Sequence, residues 1–293
     1  MATRAQWIEG ARLRTLPLAV SSVIVGTAVA IAHDQVRPVR ALLALIVGLS
    51  LQIGVNLAND YSDGVRGTDA YRVGPQRLVG SGAAAPRTVK RAAFGCFGVG
   101  AVAGLVLVVL SHQWWILAVG VITIAAAWFY TGGRHPYGYM GLGDLSVFIF
   151  FGLVSTAGTT LTQQGRLDLT TLVASCIGGF GACAVLMANN LRDIPTDLAA
   201  GKHTMAAMLG DARSRVVFVA YCVLTVAAVV GVAAMTTWWG LLGLVLLFWM
   251  APALIFVVRG GTGPGLIRVL KQVSIAEFAA AIGLLVGVVL ARL

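Results

Sequence analysis

Apolar residues in this chain do not alternate with polar ones; they run in long blocks. Nine such blocks stand out, at roughly 17–32, 41–58, 92–111, 114–131, 142–161, 169–189, 214–235, 238–258 and 273–291. Most approach the ~20 residues that a helix needs to cross a bilayer, and none has the period-two alternation of a half-buried strand. The pattern predicts an all-α polytopic membrane protein. About nine transmembrane helices would enclose a central cavity, with residues 1–293 forming one domain. Two connections, 59–91 and 190–213, are much longer than the rest and are expected to cap one end of the bundle.

Composition agrees with this pattern. Apolar types make up 58% of the 293 residues and charged types only 11%. A soluble domain carries about 25% charged residues, so a water-facing surface is excluded, as are intrinsic disorder and a disulfide scaffold. Cys96, Cys176, Cys183 and Cys222 all fall inside apolar runs and form no CxxC pair, so they read as small core residues. The formal net charge is +10. On a soluble chain that would suggest nucleic acid; here it reflects basic loops at a membrane face.

Those bases are placed unevenly. With nine spans, 17 Lys and Arg residues fall on the side of the N-terminus and the two long connections, and four on the other. The positive-inside rule then puts the N-terminus and both long connections in the cytoplasm, with the protein in the cell (inner or plasma) membrane.

The eleven acids are fewer still, and five of them lie in two short segments. Residues 56–69 read N-L-A-N-D-Y-S-D-G-V-R-G-T-D and contain Asp60, Asp63 and Asp69; residues 189–197 read N-N-L-R-D-I-P-T-D and contain Asp193 and Asp197. Both segments follow a span that ends on the same side. Asn59 and Asp63 are spaced i, i+4, as are Asp193 and Asp197, so each pair would share one helix face. Carboxylates facing one another at a membrane boundary repel unless a cation intervenes. Oxygen-only donors favour a hard ion such as magnesium (Mg²⁺), which leaves room for phosphate oxygens, over zinc. Arg66, Arg72, Arg77, Arg134, Arg192 and Lys202 lie on the same side. Acids to hold a metal and bases to neutralise oxygens describe a diphosphate site. The bland alternative is a solvated loop in which acids and bases pair with each other; two matched segments, 130 residues apart, weigh against it. Their matching also hints at a pseudo-repeat of roughly four helices.

At these residues the chain resembles the UbiA-type intramembrane prenyltransferases, whose motifs are N-x-x-x-D-x-x-x-D and D-x-x-x-D. Asn59 and Asp63 match the first two places of one, and Asp193 and Asp197 match the other. The third place of the first motif is Gly67, and the next acid is Asp69, which becomes the candidate for that ligand position. This variant resembles the naphthoquinone branch of the family, as do R-T-L-P at 14–17 and Y-T-G-G at 130–133. The resemblance implies transfer of a polyprenyl chain from its diphosphate to 1,4-dihydroxy-2-naphthoate, with loss of CO₂ and pyrophosphate, giving demethylmenaquinone. It implies Mg²⁺ held by Asn59, Asp63, Asp69, Asp193 and Asp197. Arg72, Arg77, Arg134, Arg192 and Lys202 would bind the diphosphate, and Tyr130 would contact diphosphate or ring. Pro195 inside the second motif suggests that Asp193 caps a short loop helix, which would bend the i, i+4 geometry.

Other expectations are attached to single residues. Arg12 and Arg14 are expected to anchor the first span at the headgroups, and one of them is the candidate for the acceptor's carboxylate. Glu277 within the last span is either a functional intramembrane acid or a partner of Lys271 or Arg268. Asp144 would favour a helix N-terminus, and the Trp114–Trp115 and Trp238–Trp239 pairs would sit in an interfacial belt. The rival functions are transfer to another aromatic acceptor such as 4-hydroxybenzoate, a phospholipid-forming transferase, and a secondary transporter. A transporter would place its polar groups near the midplane, not at one boundary.

Overall fold

The computed structural model describes residues 2–67 and 77–293, and every regular element among them is a helix. Helix α1 (Arg4–Gly10) leads through a 3-10 turn at Leu13–Thr15 into α2 (Leu16–Ala32). Then come α3 (Pro38–Arg66), α4 (Pro86–Ser111) and α5 (Ile116–Phe129). Helix α6 (Gly143–Val147) passes into a π-helix at Phe148–Ala157 and on into α7 (Gly158–Gln164), which together make one continuous span. Helices α8 (Leu169–Ala199) and α9 (Met205–Met235) follow. A 3-10 helix, Trp238–Leu246, continues as α10 (Leu247–Val258), and α11 (Pro264–Leu290) closes the bundle. Lipid offers no hydrogen-bond partner to a backbone, so each spanning segment must bond internally.

Among the described residues, eight helices are long and apolar enough to span a bilayer. The ninth expected span, 114–131, is α5, which has 14 residues. At 1.5 Å per residue it reaches about 21 Å, short of a hydrocarbon core of about 30 Å. Its packing is sparse as well, with Thr123 its only buried residue.

The two motif-bearing helices outrun the apolar blocks that predict them. Helix α3 extends to Arg66 and α8 to Ala199. The motifs therefore sit on rigid helical turns that project past the span ends, not in loops. The expected interruption at Pro195 does not occur, because α8 passes through it as one helix. A proline costs a helix one N–H bond, and continued tertiary packing on the same helix offsets that loss.

Two groups of helices face each other. Helices α2, α8, α9, α10 and α11 share the main apolar core, around Ile177, Phe218, Met250 and Leu284. Helices α3 and α4 pack on each other, with a second core around Leu57, Val89 and Phe97. Small residues set the close crossings, as is usual where lipid gives no hydrophobic drive between helices. Gly152 lies against the Ser175 carbonyl and Gly179, and Gly287 lies against the Trp239 carbonyl. At the end away from the motifs, the Asp168 carboxylate accepts from Thr171 N at 2.8 Å and so caps α8. Burial acts to raise the Asp168 pKa, but the bonds from Thr171, with His33 and Gln164, outweigh it and hold the carboxyl below its ordinary value.

Glu277 is fully buried, and neither of its carboxylate oxygens hydrogen-bonds any described residue. The expected pairing with Lys271 or Arg268 is thus absent: the side chain turns inward against Gly181 rather than toward the basic helix end. Asp144 does occupy the first turn of α6, as expected. The four tryptophans of the two pairs are all exposed.

Candidate active site

The spacing of Asn59 and Asp63 on α3 directs both side chains into one chamber between the two helix groups. Asp63 is 3% exposed, so its charge must be matched locally. Its Oδ1 accepts a short hydrogen bond from the Tyr139 hydroxyl. Its Oδ2 lies 3.6 Å from Arg77 Nη2 and 3.6 Å from Lys202 Nζ. Asn59 Oδ1 accepts from Thr131 Oγ1 at 2.7 Å.

The second motif stands across the chamber on α8. Asp193 receives Arg192 as a fork, with Nε to Oδ1 at 2.6 Å and Nη2 to Oδ2 at 2.6 Å. The same guanidinium bonds Asn189 Oδ1 at 3.0 Å. One turn on, Asp197 Oδ2 accepts from Thr204 Oγ1 at 3.2 Å. Lys202 then ties the motifs together. Its backbone N–H donates to the Asp197 carbonyl at 2.8 Å while its ammonium reaches Asp63. Tyr139 supports that ammonium, which sits 4.6 Å from the ring centroid, and Arg66 sits 5.6 Å from the same centroid. Arg66 also bonds the carbonyls of Thr131 and Gly133, fixing the α5–α6 loop to the end of α3.

The chamber measures about 510 Å³ and is lined by Asn59, Asp63, Asp193, Asp197, Arg77 and Lys202 at the motif end. Farther in, the wall is apolar: Gly104, Leu105 and Val108 from α4, Val121 from α5, and Phe150 and Val154 from the π-helix. π-Helical turns are rare and recur at functional sites, and this one carries Phe150, Phe151, Val154 and Ser155 into the chamber. Arg12 lines the chamber from the turn before α2, in a left-handed conformation (φ 55°). Asn56 holds that turn by donating to the Ala11 carbonyl at 3.0 Å, and Gln52 donates to Thr15 Oγ1 at 3.1 Å.

Most of the residues expected from sequence meet here: Asn59, Asp63, Asp193, Asp197, Tyr130, Arg77 and Lys202. Arg192 does not line the chamber; it is spent on Asp193 and Asn189. Arg134 is exposed and stands outside the lining. Asp69 and Arg72 lie outside the described residues. Sequence reasoning passed over Tyr139, Thr131, Asn189 and Thr204. Asn189 was within reach of the same rule, since it precedes Asp193 by four residues. Tyr139 carries no spacing signal, because a loop fold brings it to Asp63.

Among the described residues, no three His, Cys, Asp or Glu side chains gather to hold an ion by themselves. The described chamber lining contains neither histidine nor cysteine, only carboxylate, amide, hydroxyl and carbonyl oxygens as donors. That donor set fits a hard cation whose remaining positions go to ligand oxygens, and does not fit zinc.

Fold and site together define a polytopic helical membrane protein that holds facing acid motifs and basic side chains over an apolar chamber. Residues 19–265 match the UbiA prenyltransferase family, and the chain belongs to that family. It is 50% identical over 277 residues to the 1,4-dihydroxy-2-naphthoate octaprenyltransferase of Mycobacterium tuberculosis, covering 94% of each chain. With the enzyme of that name from Escherichia coli it shares 42% identity over 215 residues, covering 71% of this chain and 70% of the other. Among solved structures, a UbiA homolog from Aeropyrum pernix K1 matches with a TM-score of 0.71 at 15% identity, covering 96% of this chain and 99% of that one. A UbiA homolog from Archaeoglobus fulgidus bound to GPP and Mg²⁺ matches at 0.61 and 14% identity, covering 94% and 99%. At such identities these two establish the shared fold.

Proposed function

We propose that the protein transfers a polyprenyl chain from polyprenyl diphosphate to 1,4-dihydroxy-2-naphthoate, releasing pyrophosphate and CO₂. One observation carries this reading: both acid motifs, Arg77 and Lys202 line the polar end of a single chamber whose remainder is apolar. A lipid with an anionic head has that polarity. The naphthoate named for the relatives at 50% and 42% identity supports the acceptor.

The chain's own residues divide the work. Asn59, Asp63, Asp193 and Asp197 would hold Mg²⁺, with Asp69 as a further candidate. When bound, Mg²⁺ supplies Lewis-acid neutralisation of diphosphate oxygens. Arg77 and Lys202 take up the charge that grows on the leaving diphosphate as the allylic C–O bond breaks. Arg192 orients Asp193 through its fork. Leu105, Val108, Phe150 and Val154 surround the prenyl chain and keep water from the allylic cation. Arg12, held at the chamber wall by the Asn56-anchored turn, faces the acceptor's carboxylate, and Tyr130 contacts the ring. The ring carbon then bonds the cation, and the carboxylate departs as CO₂, leaving its electron pair to restore the ring. No oxidation occurs in these steps, so the immediate product is the quinol form of demethylmenaquinone.

The 17-to-four distribution of Lys and Arg supports a cytoplasmic face for the motif end and for the N-terminus.

The test uses purified protein in detergent with Mg²⁺, polyprenyl diphosphate and one aromatic acid at a time. Pyrophosphate release with dihydroxynaphthoate, and far less with 4-hydroxybenzoate, is the expected result. Equal turnover of both acids would overturn the acceptor assignment, and release with neither would overturn the enzyme reading.

A further inference from the structure

Asp60 follows Asn59 directly, so its side chain leaves α3 about 100° around the helix from the chamber face. It is 1% exposed and does not line the chamber. Its carboxylate instead receives two consecutive backbone amides: Leu78 N on Oδ2 at 2.8 Å and Val79 N on Oδ1 at 2.9 Å. A bidentate carboxylate on paired amides is a strong, directional anchor. The anchored segment is seated from below as well. Leu78 is 2% exposed and approaches Gly10, while Val79 sits so close to Gly64 that a Cβ there would stand 2.6 Å from the Val79 Cβ. The residue immediately before this anchor is Arg77, which reaches into the chamber to within 3.6 Å of Asp63. Asp60 and Asp63 are one turn apart on α3. Helix α3 ends at Arg66, and the described chain beyond it, from Arg77, lies against the same helix, stapled there by Asp60 with Arg77 facing Asp63.

We propose that Asp60 is a positioning residue for the diphosphate: it touches no substrate, but by clamping the Leu78 and Val79 amides it holds Arg77 in the chamber. This rests on the diphosphate reading of the site. Free of the clamp, an arginine on a connecting segment would sample many rotamers, and its contribution to binding the leaving group would be diluted by that entropy.

Two substitutions address the clamp from opposite sides. Asp60→Asn keeps the shape but puts an amide N–H₂ against one of the two backbone donors. Gly64→Ala keeps Asp60 and its charge, and alanine is the better helix former, but its methyl pushes Val79 away. Each is measured alone and combined with Arg77→Ala, following kcat/KM for polyprenyl diphosphate and KM for the aromatic acid separately. Each single variant is expected to lower kcat/KM for the diphosphate by about tenfold, the worth of one charge-assisted hydrogen bond, with the acceptor KM within about twofold. In the Arg77→Ala background neither should cause a further loss, because the group being positioned is gone. Losses that multiply with Arg77→Ala, an equal rise in acceptor KM, or unimpaired variants would each overturn the role of Asp60. If Asp60→Asn does not accumulate as folded protein, Gly64→Ala decides alone. A wild-type protein that releases no pyrophosphate overturns the function proposed above, whereas an active wild type with unimpaired variants overturns only the positioning role.

Discussion

Asp63 concentrates more of the site's electrostatics than any other described side chain. It faces Arg77, Lys202 and the Tyr139 hydroxyl together, while 3% exposed. Those three contacts fix the direction in which its carboxylate oxygens face the chamber. Replacing Asp63 by Asn removes its charge and leaves two cations facing each other, and turnover should fall by about a thousandfold or more. Tyr139→Phe removes the hydroxyl that donates to Asp63 and keeps the ring beneath the Lys202 ammonium. Its kcat/KM should fall by about tenfold. Steady-state kinetics on the two variants checks this, and equal losses would mean that the tyrosine acts as more than a support. The acids were visible in the sequence because carboxylates are scarce there and i, i+4 spacing is diagnostic. Tyr139 was not visible, because a tyrosine in a short loop after an arginine looks like any interfacial tyrosine.

Among the elements, helix existence was readable and helix length was not. The apolar blocks end at 58 and 189 because hydropathy records lipid contact, whereas α3 and α8 persist to Arg66 and Ala199 because packing continues beyond the membrane. The π-helix at Phe148–Ala157 and the 3-10 helix at Trp238–Leu246 left no trace in an apolar pattern that suits any helix. Their tight neighbours do carry consequences. A Cβ at Gly287 would collide with the Trp239 carbonyl and the Gly240 amide, which are backbone atoms and cannot rotate away. Gly287→Ala should therefore lower Tm by several degrees despite alanine's helix propensity, as overpacking costs about 1–3 kcal/mol. Gly98→Ala on α4, where nothing lies within 4 Å, should leave Tm unchanged or raised. Thermal unfolding of the two in the same detergent compares them directly.

The whole molecule is a bundle with chemically different ends. One carries the motifs, Arg77 and Lys202; the other carries Asp34, Asp168 and the C-terminal Arg292, which bonds the Ala32 carbonyl at 2.7 Å. If the basic end faces the cytoplasm, a cysteine placed at exposed Asp34 should react with an impermeant maleimide added to intact cells. One at exposed Arg134 should react only after lysis. The reverse pattern would invert the topology.

Hydropathy and charge count alone determined that the chain is helical, that it lives in a membrane, and that two acid segments share one side, because each of these follows from local composition. Only the folded bundle decided which cations meet which acids. It spent Arg192 on its neighbour Asp193, turned Arg134 outward, brought Lys202 and Tyr139 to Asp63, and seated the Leu78 and Val79 amides on Asp60. Those pairings join residues up to about 140 positions apart, and a contact across such a gap exists only once the intervening helices have packed.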